Sequence, residues 1–233
     1  MDQQFTMRPV AHIENDYVEK FGIPRQAGLV DKPLSRIILE PEFRNPDVFR
    51  GMEGFSHIWL VWVFSQARRD SWTPTVRPPR LGGNERVGVF ATRSPFRPNP
   101  IGLSCVEIDH IEWHTPEGPV LVVRGADLLN GTPILDIKPY IPYADARPEA
   151  KEGFTGSVPK KTLQVEIEEE WYMIYGASLC EEIRDILSQD PRPAYQEDPK
   201  RVYGVRYGKY NIRFRVENDT AYVEEIENEE EKR

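Results

Sequence analysis

One short segment, Ser56–Phe64, limits the choice of fold more than any other part of the chain. It reads Ser-His-Ile-Trp-Leu-Val-Trp-Val-Phe, so it is β-branched, aromatic and apolar on both faces. Such a short apolar run is typical of a strand in the middle of a core. The segment therefore predicts a central strand, which ends at the polar pair Ser65 and Gln66.

Several other short apolar or alternating segments follow one another, separated by proline and glycine turn signals. They are Val10–Ile13, Arg36–Glu40, Arg86–Ala91, Ile101–Trp113, Val120–Val123 and the alternating segment from Leu135 to Tyr140. Five or six short strands with almost no helical period predict a mostly β domain with antiparallel strands over residues 1–146. A glycine-rich dinucleotide turn between strand and helix is missing, so the fold is predicted not to be Rossmann.

The rest of the chain predicts a small α+β C-terminal domain over residues 160–233. Apolar residues at helical spacing between Leu179 and Leu187 predict an amphipathic helix that Asp190-Pro191 terminates. Strands are expected near Val202–Arg206, Asn211–Val216 and Ala221–Glu225. The polar stretch between the two domains is broken by glycines and is expected to be a linker.

The cysteine, histidine and apolar content argue against several classes of protein. Two cysteines far apart in sequence give no disulfide framework, and four histidines form no ligand pattern, so no metal site is expected. The longest apolar run is too short to span a bilayer, and no signal peptide pattern opens the sequence. We therefore expect a cytoplasmic protein without a membrane partner.

The net charge of −8 argues against indiscriminate nucleic-acid binding, but basic residues are concentrated in two stretches. Residues 77–97 contain five arginines and one acid, and residues 200–215 contain six basic residues and no acid. Both stretches fit a specific contact with an anion, and both equally fit solvated surface.

A proline-rich crossing joins two apolar runs within residues 86–104. Prolines fix φ and push the preceding residue to extended geometry, so Arg93 and Arg97 are held on a stiff segment. A binding loop needs this stiffness, because it then loses little entropy on capturing a ligand.

The crossing also carries a family resemblance. Arg93-Ser-Pro-Phe-Arg-Pro-Asn-Pro-Ile-Gly-Leu-Ser104 resembles the signature of the TsaA-like family, which includes TrmO-type enzymes. Five further matches occur in the expected order. They are Pro24-Arg25-Gln26, Arg50-Gly51 with Phe55-Ser56-His57, residues 75–84, Gly131-Thr-Pro133 with Asp136–Tyr140, and Asp190-Pro-Arg-Pro-Ala-Tyr195. The resemblance covers nearly the whole chain.

The resemblance implies a methyltransferase that uses S-adenosyl-L-methionine on a β-barrel-like sheet. Its expected substrate is N6-threonylcarbamoyladenosine at position 37, in the anticodon loop of tRNA, which is methylated at N6. The cofactor-binding residues implied in this sequence are Pro24, Arg25, Gln26, Ser65, Gln66, Arg93, Leu103, Asp127, Leu128, Leu129 and Asn130. A homodimer is also implied.

Residues for the substrate and for proton removal are predicted as well. Arg97, Lys138, Arg192 and Tyr195 are the substrate-binding candidates, and Asp136, Asp190 and Tyr195 are the candidates for a catalytic base. A structural role for each of these acids is an equal alternative. The residues alone also leave open a non-catalytic β-rich module that binds RNA or a nucleotide, and a hydrolase that uses Asp136 and a histidine.

Overall fold

The computed structural model describes residues 4–67, 71–81, 84–156, 162–192 and 198–232. Within them, the N-terminal part forms a closed antiparallel barrel of six strands in the order β1-β2-β7-β6-β3-β8. These strands are β1 Ala11–Glu14, β2 Leu34–Leu39, β3 His57–Val63, β6 Ile101–Thr115, β7 Gly118–Arg124 and β8 Pro133–Pro139. The predicted mostly β fold that is not Rossmann is confirmed.

Strand β3 lies between β6 and β8, as the apolar run predicts. Its side chains alternate, with Ile58, Leu60 and Trp62 inside the barrel core. The expectation that both faces are buried is wrong, because a barrel strand has one inner and one outer face. Trp59 and Val61 lie half-buried on the outer face.

The segment expected as a strand over Arg86–Ala91 is mostly a turn. Only β5 (Val87–Gly88) pairs, with β4 (Thr75–Val76), and a 3₁₀ turn follows over Val89–Ala91. The crossing after it is braced by short-range hydrogen bonds from side chains to the backbone. Thr92 Oγ1 accepts from the N–H of Ser94 across 3.2 Å. Such turns compete with strand pairing, which explains why the ladder stops here.

The C-terminal part is a four-stranded sheet covered by helices. Its strand order is β10-β11-β12-β9, and only β9 runs parallel to its neighbour. The strands are β9 Gln164–Glu166, β10 Tyr203–Tyr207, β11 Tyr210–Glu217 and β12 Thr220–Asn228. The helices are α1 Pro142–Asp145 in the connection, α2 Glu169–Tyr175 and α3 Ala177–Ser188. Helix α3 is the predicted amphipathic helix, and it buries Cys180, Ile183, Ile186 and Leu187.

The loop between β1 and β2, residues 15–33, is called the first loop. It leaves the barrel and packs on the C-terminal sheet, where Tyr17 and Val30 join that sheet's apolar core. Gly22 makes this close approach possible, because a Cβ there would lie 2.4 Å from Cγ2 of Val205. The first loop therefore belongs to both parts of the molecule.

No helix within the described ranges is long and apolar enough to cross a membrane. Part of the expected linker, residues 157–159, lies outside the described residues, as do the first two residues of the expected C-terminal domain. The domain limits at residues 146 and 160 stay a prediction.

Candidate active site

A cleft of about 720 Å³ lies at one edge of the barrel. β3 ends there, β6 begins there and β7 leads into residues 127–132 there, so three strand ends converge on it. The first loop and the proline-rich crossing form its other walls. We call it the first cleft. Its volume is that of an ordinary small-molecule site.

Nine of the eleven predicted cofactor residues line the first cleft. They are Pro24, Arg25, Gln26, Ser65, Gln66, Arg93, Leu103, Asp127 and Leu129. Leu128 is fully buried in the barrel core instead. Asn130 is exposed, and its side-chain oxygen accepts from the N–H of Asn15 across 3.1 Å. The role of each residue towards a cofactor stays a prediction.

Arg93 and Gln26 are joined across the mouth of the first cleft. Nη1 of Arg93 donates to Oε1 of Gln26 across 2.5 Å, although 67 residues separate them in sequence. Gln26 in turn donates from Nε2 to the carbonyl of Arg25 across 2.5 Å. The amide of Gln26 is thereby fixed with its oxygen towards the guanidinium.

Asp127 supplies a partly buried carboxylate to the same cleft. Burial raises its pKa, and three kinds of contact oppose this: the Ser104 hydroxyl, backbone N–H groups and the charge of Arg93. The hydroxyl of Ser104 donates to Oδ1 across 2.5 Å, and Nε1 of Trp62 donates to that hydroxyl across 2.9 Å. This chain fixes the orientation of the carboxylate.

Trp62 and Ser104 are functional candidates that the sequence analysis missed, together with Phe64 and Phe96 in the cleft wall. One signal was available for Ser104. It is a polar residue in the inward row of β6, between buried Gly102 and Val106. Polar side chains in such a row normally have a partner, which here is Trp62 on β3.

Arg97 also lines the first cleft, but it is partly used inside the crossing. Its Nη1 donates to the carbonyl of Thr92 across 3.1 Å, and its guanidinium lies 6.0 Å from the ring centre of Phe90. The predicted substrate residue thus also braces the loop that holds Arg93.

A second cleft of about 1250 Å³ adjoins the first. The two share part of the crossing and of the first loop, including Arg25, Gln26 and Arg93. The lining of the second cleft further includes Arg77, Arg86, Phe90, Phe96 and Phe154. Its described lining thus contains four arginines and no acid, and the ring of Phe90 is 75% exposed.

The catalytic candidate Asp136 and the substrate candidate Lys138 lie elsewhere. Both are on β8, paired in register with Val61 and Trp59 on the outer face of β3. Their side chains form an ion pair of 2.7 Å, and neither lines the first or the second cleft. No histidine lines either cleft among the described residues, so nothing supports the hydrolase alternative.

Asp190 and Arg192 bind each other. Nε and Nη2 of Arg192 donate to the two carboxylate oxygens of Asp190 across 2.7 and 2.8 Å. The Arg192 side chain is only 8% exposed. The carboxylate is therefore engaged with the guanidinium rather than open to a substrate. Tyr195 lies outside the described residues.

The described residues contain no cluster of three or more His, Cys, Asp or Glu side chains that could hold a metal ion. The polar side chains of the clefts carry guanidinium groups, amides, hydroxyls, the ammonium of Lys20 and one carboxylate. Such a set of groups suits an organic ligand that carries both anionic and hydroxyl groups.

Two family models match the chain along most of its length. The tRNA-methyltransferase O N-terminal domain matches residues 12–146, and the TrmO C-terminal domain matches residues 160–229. A tRNA (adenine(37)-N6)-methyltransferase of Escherichia coli K12 is 42% identical over 220 residues, which cover 91% of this chain and 93% of that protein. The enzyme of the same name from Eikenella corrodens is 49% identical over 176 residues, which cover 74% and 97%.

Solved structures agree with the sequence comparison. The crystal structure of TrmO from Pseudomonas aeruginosa superposes with a TM-score of 0.77 at 33% identity, covering 97% of this chain and 99% of that one. The predicted enzyme class, an S-adenosylmethionine-dependent tRNA methyltransferase, is confirmed, because the chain belongs to the tRNA-methyltransferase O family.

Proposed function

We propose that this protein methylates N6 of N6-threonylcarbamoyladenosine at position 37 of tRNA, and that the first cleft holds S-adenosyl-L-methionine. The observation that carries the proposal is the joining of Arg93, Gln26 and Asp127 around one apolar cleft at the barrel edge. The names of the related enzymes support the adenine at position 37 as the target.

The residues of the first cleft fit this cofactor. The guanidinium of Arg93 can pair with the carboxylate of the methionine part, and the fixed carboxylate of Asp127 can accept from the ribose hydroxyls. Leu103, which is 51% exposed, offers an apolar surface to the adenine. When bound, the cofactor supplies a methyl group on a sulfonium centre.

The second cleft is the proposed place of the nucleotide that accepts the methyl group. It shares Arg25, Gln26 and Arg93 with the first cleft, so a base held there lies next to the cofactor site. Arg77 and Arg86 can pair with phosphates or with the threonyl carboxylate. Exposed aromatic rings such as Phe90 can stack on a base.

Catalysis by this chain rests mainly on positioning, because displacement at a sulfonium methyl group is an in-line step. Asp136, Asp190 and Tyr195 remain proposed candidates for removing the N6 proton. The pairing of Asp190 with Arg192 and of Asp136 with Lys138 favours structural roles for both acids.

A reconstituted methylation assay tests this function. Purified protein is incubated with S-adenosyl-L-methionine and either a tRNA that carries threonylcarbamoyladenosine at position 37 or the same tRNA without that modification. We expect the N6-methylated nucleoside, detected by mass spectrometry, only with the modified tRNA. Equal methylation of both would contradict the proposed substrate, and methylation at another position would contradict the proposed target atom.

A homodimer is also proposed, on the outer face of β3 and β6. The cross-strand pair Trp59–Cys105 and the nearby Val61 place partly exposed apolar side chains close together on this face. Apolar patches of this kind mark interaction surfaces. Light scattering after size exclusion should give twice the chain mass for the wild type and the single mass for Val61→Arg.

We propose a cytoplasmic location for the enzyme. Cys105 and Cys180 are both free, and Cys180 is buried. Free thiols are typical of a reducing compartment. Cell fractionation with an antibody to the native protein checks this location.

A further inference from the structure

The turn after helix α3 is unusually well fixed. Asp190 has a φ of 46°, and the ring of Pro191 restricts the next φ. The guanidinium of buried Arg192 donates to both oxygens of the Asp190 carboxylate. The N–H of Asp190 also donates to the carbonyl of Leu187 across 3.1 Å. This turn therefore aims the backbone carbonyls of Asp190 and Arg192 in fixed directions.

Both carbonyls accept from one guanidinium of the first loop. Nη2 of Arg25 donates to the carbonyl of Asp190 across 3.3 Å and to that of Arg192 across 3.2 Å. About 165 residues separate these partners in sequence. Arg25, a predicted cofactor residue, is thus held by the C-terminal part of the molecule.

The hydrogen bonds continue from Arg25 to the cleft. The carbonyl of Arg25 accepts from the amide of Gln26, and the oxygen of that amide accepts from Arg93. The turn thus holds the guanidinium of Arg25, the covalent frame of Arg25 joins this group to its backbone carbonyl, and hydrogen bonds lead from that carbonyl through Gln26 to the guanidinium of Arg93. This connection passes from the C-terminal part to the barrel.

We propose that Arg192 and Arg25 are positioning residues, which hold Arg93 ready for the anionic group of the cofactor. Arg93 is exposed, and a long exposed side chain loses rotamer freedom when it binds a ligand. Fixing it in advance through Gln26 removes part of that entropic cost from binding. The C-terminal part thereby contributes to cofactor affinity without having to touch the cofactor.

This inference rests on the proposed function in one respect, namely that Arg93 faces the cofactor. It differs from the family expectation that Arg25 is itself a binding group, and from the expectation that Arg192 pairs with the substrate. Each of those roles predicts a different pattern of affinities. If Arg192 binds the substrate, replacing it should weaken the affinity for tRNA alone. If Arg192 is a positioning residue, replacing it should weaken the affinity for the cofactor first.

The test is calorimetric binding of S-adenosyl-L-methionine and S-adenosylhomocysteine to the full-length protein without tRNA. We expect Arg25→Ala and Arg192→Ala to weaken both affinities by roughly twofold to thirtyfold, the range of coupling through intermediate residues. Arg25→Lys should recover most of the loss, because an ammonium can still donate to both carbonyls. Arg25 is exposed, so its variants can be measured even if Arg192→Ala fails to fold, and the double-mutant cycle with Gln26 then separates positioning from direct binding by Arg25.

Lys32→Ala is the matched control. It removes another link between the first loop and helix α3, the 2.9 Å ion pair with Glu181, which does not lead to either cleft. Its cofactor affinity should equal that of the wild type. An equal loss in Lys32→Ala would mean that general loosening of the first loop explains the effect, and would overturn the positioning role.

A double-mutant cycle identifies the path. If the chain of hydrogen bonds carries the effect, Arg25→Ala should weaken cofactor binding little further once Gln26→Ala is present. Fully additive losses would overturn the path through Gln26. A wild type that binds neither ligand would refute the proposed function itself, whereas normal binding by wild type, Arg25→Ala and Arg192→Ala would refute the positioning role alone.

Discussion

The indole ring of Trp62 fills the space that a side chain on Gly102 would occupy. An added Cβ on Gly102 would lie 2.2 Å from Cε2 of that ring. Trp62 is only 6% exposed and donates to Ser104, so it has little room to move. The absence of a side chain at position 102 therefore sets the position of one wall of the first cleft.

Gly102→Ala should consequently destabilise the protein. Overpacking of this kind lowers the free energy of unfolding by about 1–3 kcal/mol, and the displaced indole should also weaken cofactor binding. Urea unfolding and calorimetry measure the two effects. Gly54→Ala is the control, because a Cβ at that exposed turn meets nothing within 4 Å. Equal stability of the two variants would contradict this packing argument.

Asp127→Asn should change folding stability and cofactor binding in opposite directions. Burial raises the pKa of Asp127, so its ionised form costs folding stability. That cost is absent below the ordinary value of 3.8 and grows as the pH rises through the raised value. We therefore expect the Tm of the variant, relative to that of the wild type, to increase with pH. We also expect the variant to bind the cofactor more weakly than the wild type does.

Two results would count against this account of Asp127. One is a variant that loses Tm relative to the wild type as the pH rises, since that pattern belongs to a carboxylate with a lowered pKa. The other is unchanged cofactor affinity. Asp47→Asn, at an exposed turn, is the control for both measurements.

Glu181→Gln should lose stability in a pH-dependent way. The ammonium of Lys32 and the hydroxyl of Tyr172 lower the pKa of Glu181 from 4.5 to about 2. A lowered pKa gives stability that is present above pH 4.5 and is lost as the pH falls towards about 2. The Tm difference between wild type and variant should shrink over that window. Lys32→Ala should show the same pH dependence. A Tm difference from the wild type that does not change with pH would contradict a stabilising Lys32–Glu181 ion pair.

The arginines of the second cleft predict how the affinity for tRNA depends on salt concentration. If Arg77 and Arg86 pair with phosphates of the tRNA, replacing both by alanine should weaken binding and reduce the slope of log affinity against log salt by about 1 for each arginine. Fluorescence anisotropy with labelled tRNA over a salt series measures the slope. Arg213→Ala, on β11 and paired with Glu225 at 3.4 Å, is the control. An unchanged slope would place the tRNA phosphates elsewhere.

The strands were predictable from local sequence, because alternation and turn signals act over a few residues. The predicted strand Ile101–Trp113 corresponds to β6, and the helical spacing up to Leu187 corresponds to α3. The strand expected over Arg86–Ala91 is confirmed only at Val87–Gly88, and it too ends for a local reason. The hydroxyl of Thr92 donates to the carbonyl of Val89, which favours a turn over a ladder.

The site was predictable only in part. Family motifs identified Arg93, Gln26 and Asp127, and the structure brings all three into one cleft. The motif residues Asp136 and Lys138 instead pair with each other on the outer face of the barrel and line neither cleft. Motif order carries no information about which face of a strand a side chain occupies once a bulge shifts the register, as it does on β8.

The sequence by itself determined the β-rich fold and the stiffness of the crossing, because these depend on residue types at short spacing, and its ordered family motifs indicated the enzyme class. Only the tertiary structure decided the contacts that make the site. Arg25 meets the carbonyl of Arg192, Gln26 meets Arg93 and Ser104 meets Asp127 across 167, 67 and 23 residues of chain. Such pairs arise from barrel closure and from docking of the first loop on the C-terminal sheet, which no local pattern encodes.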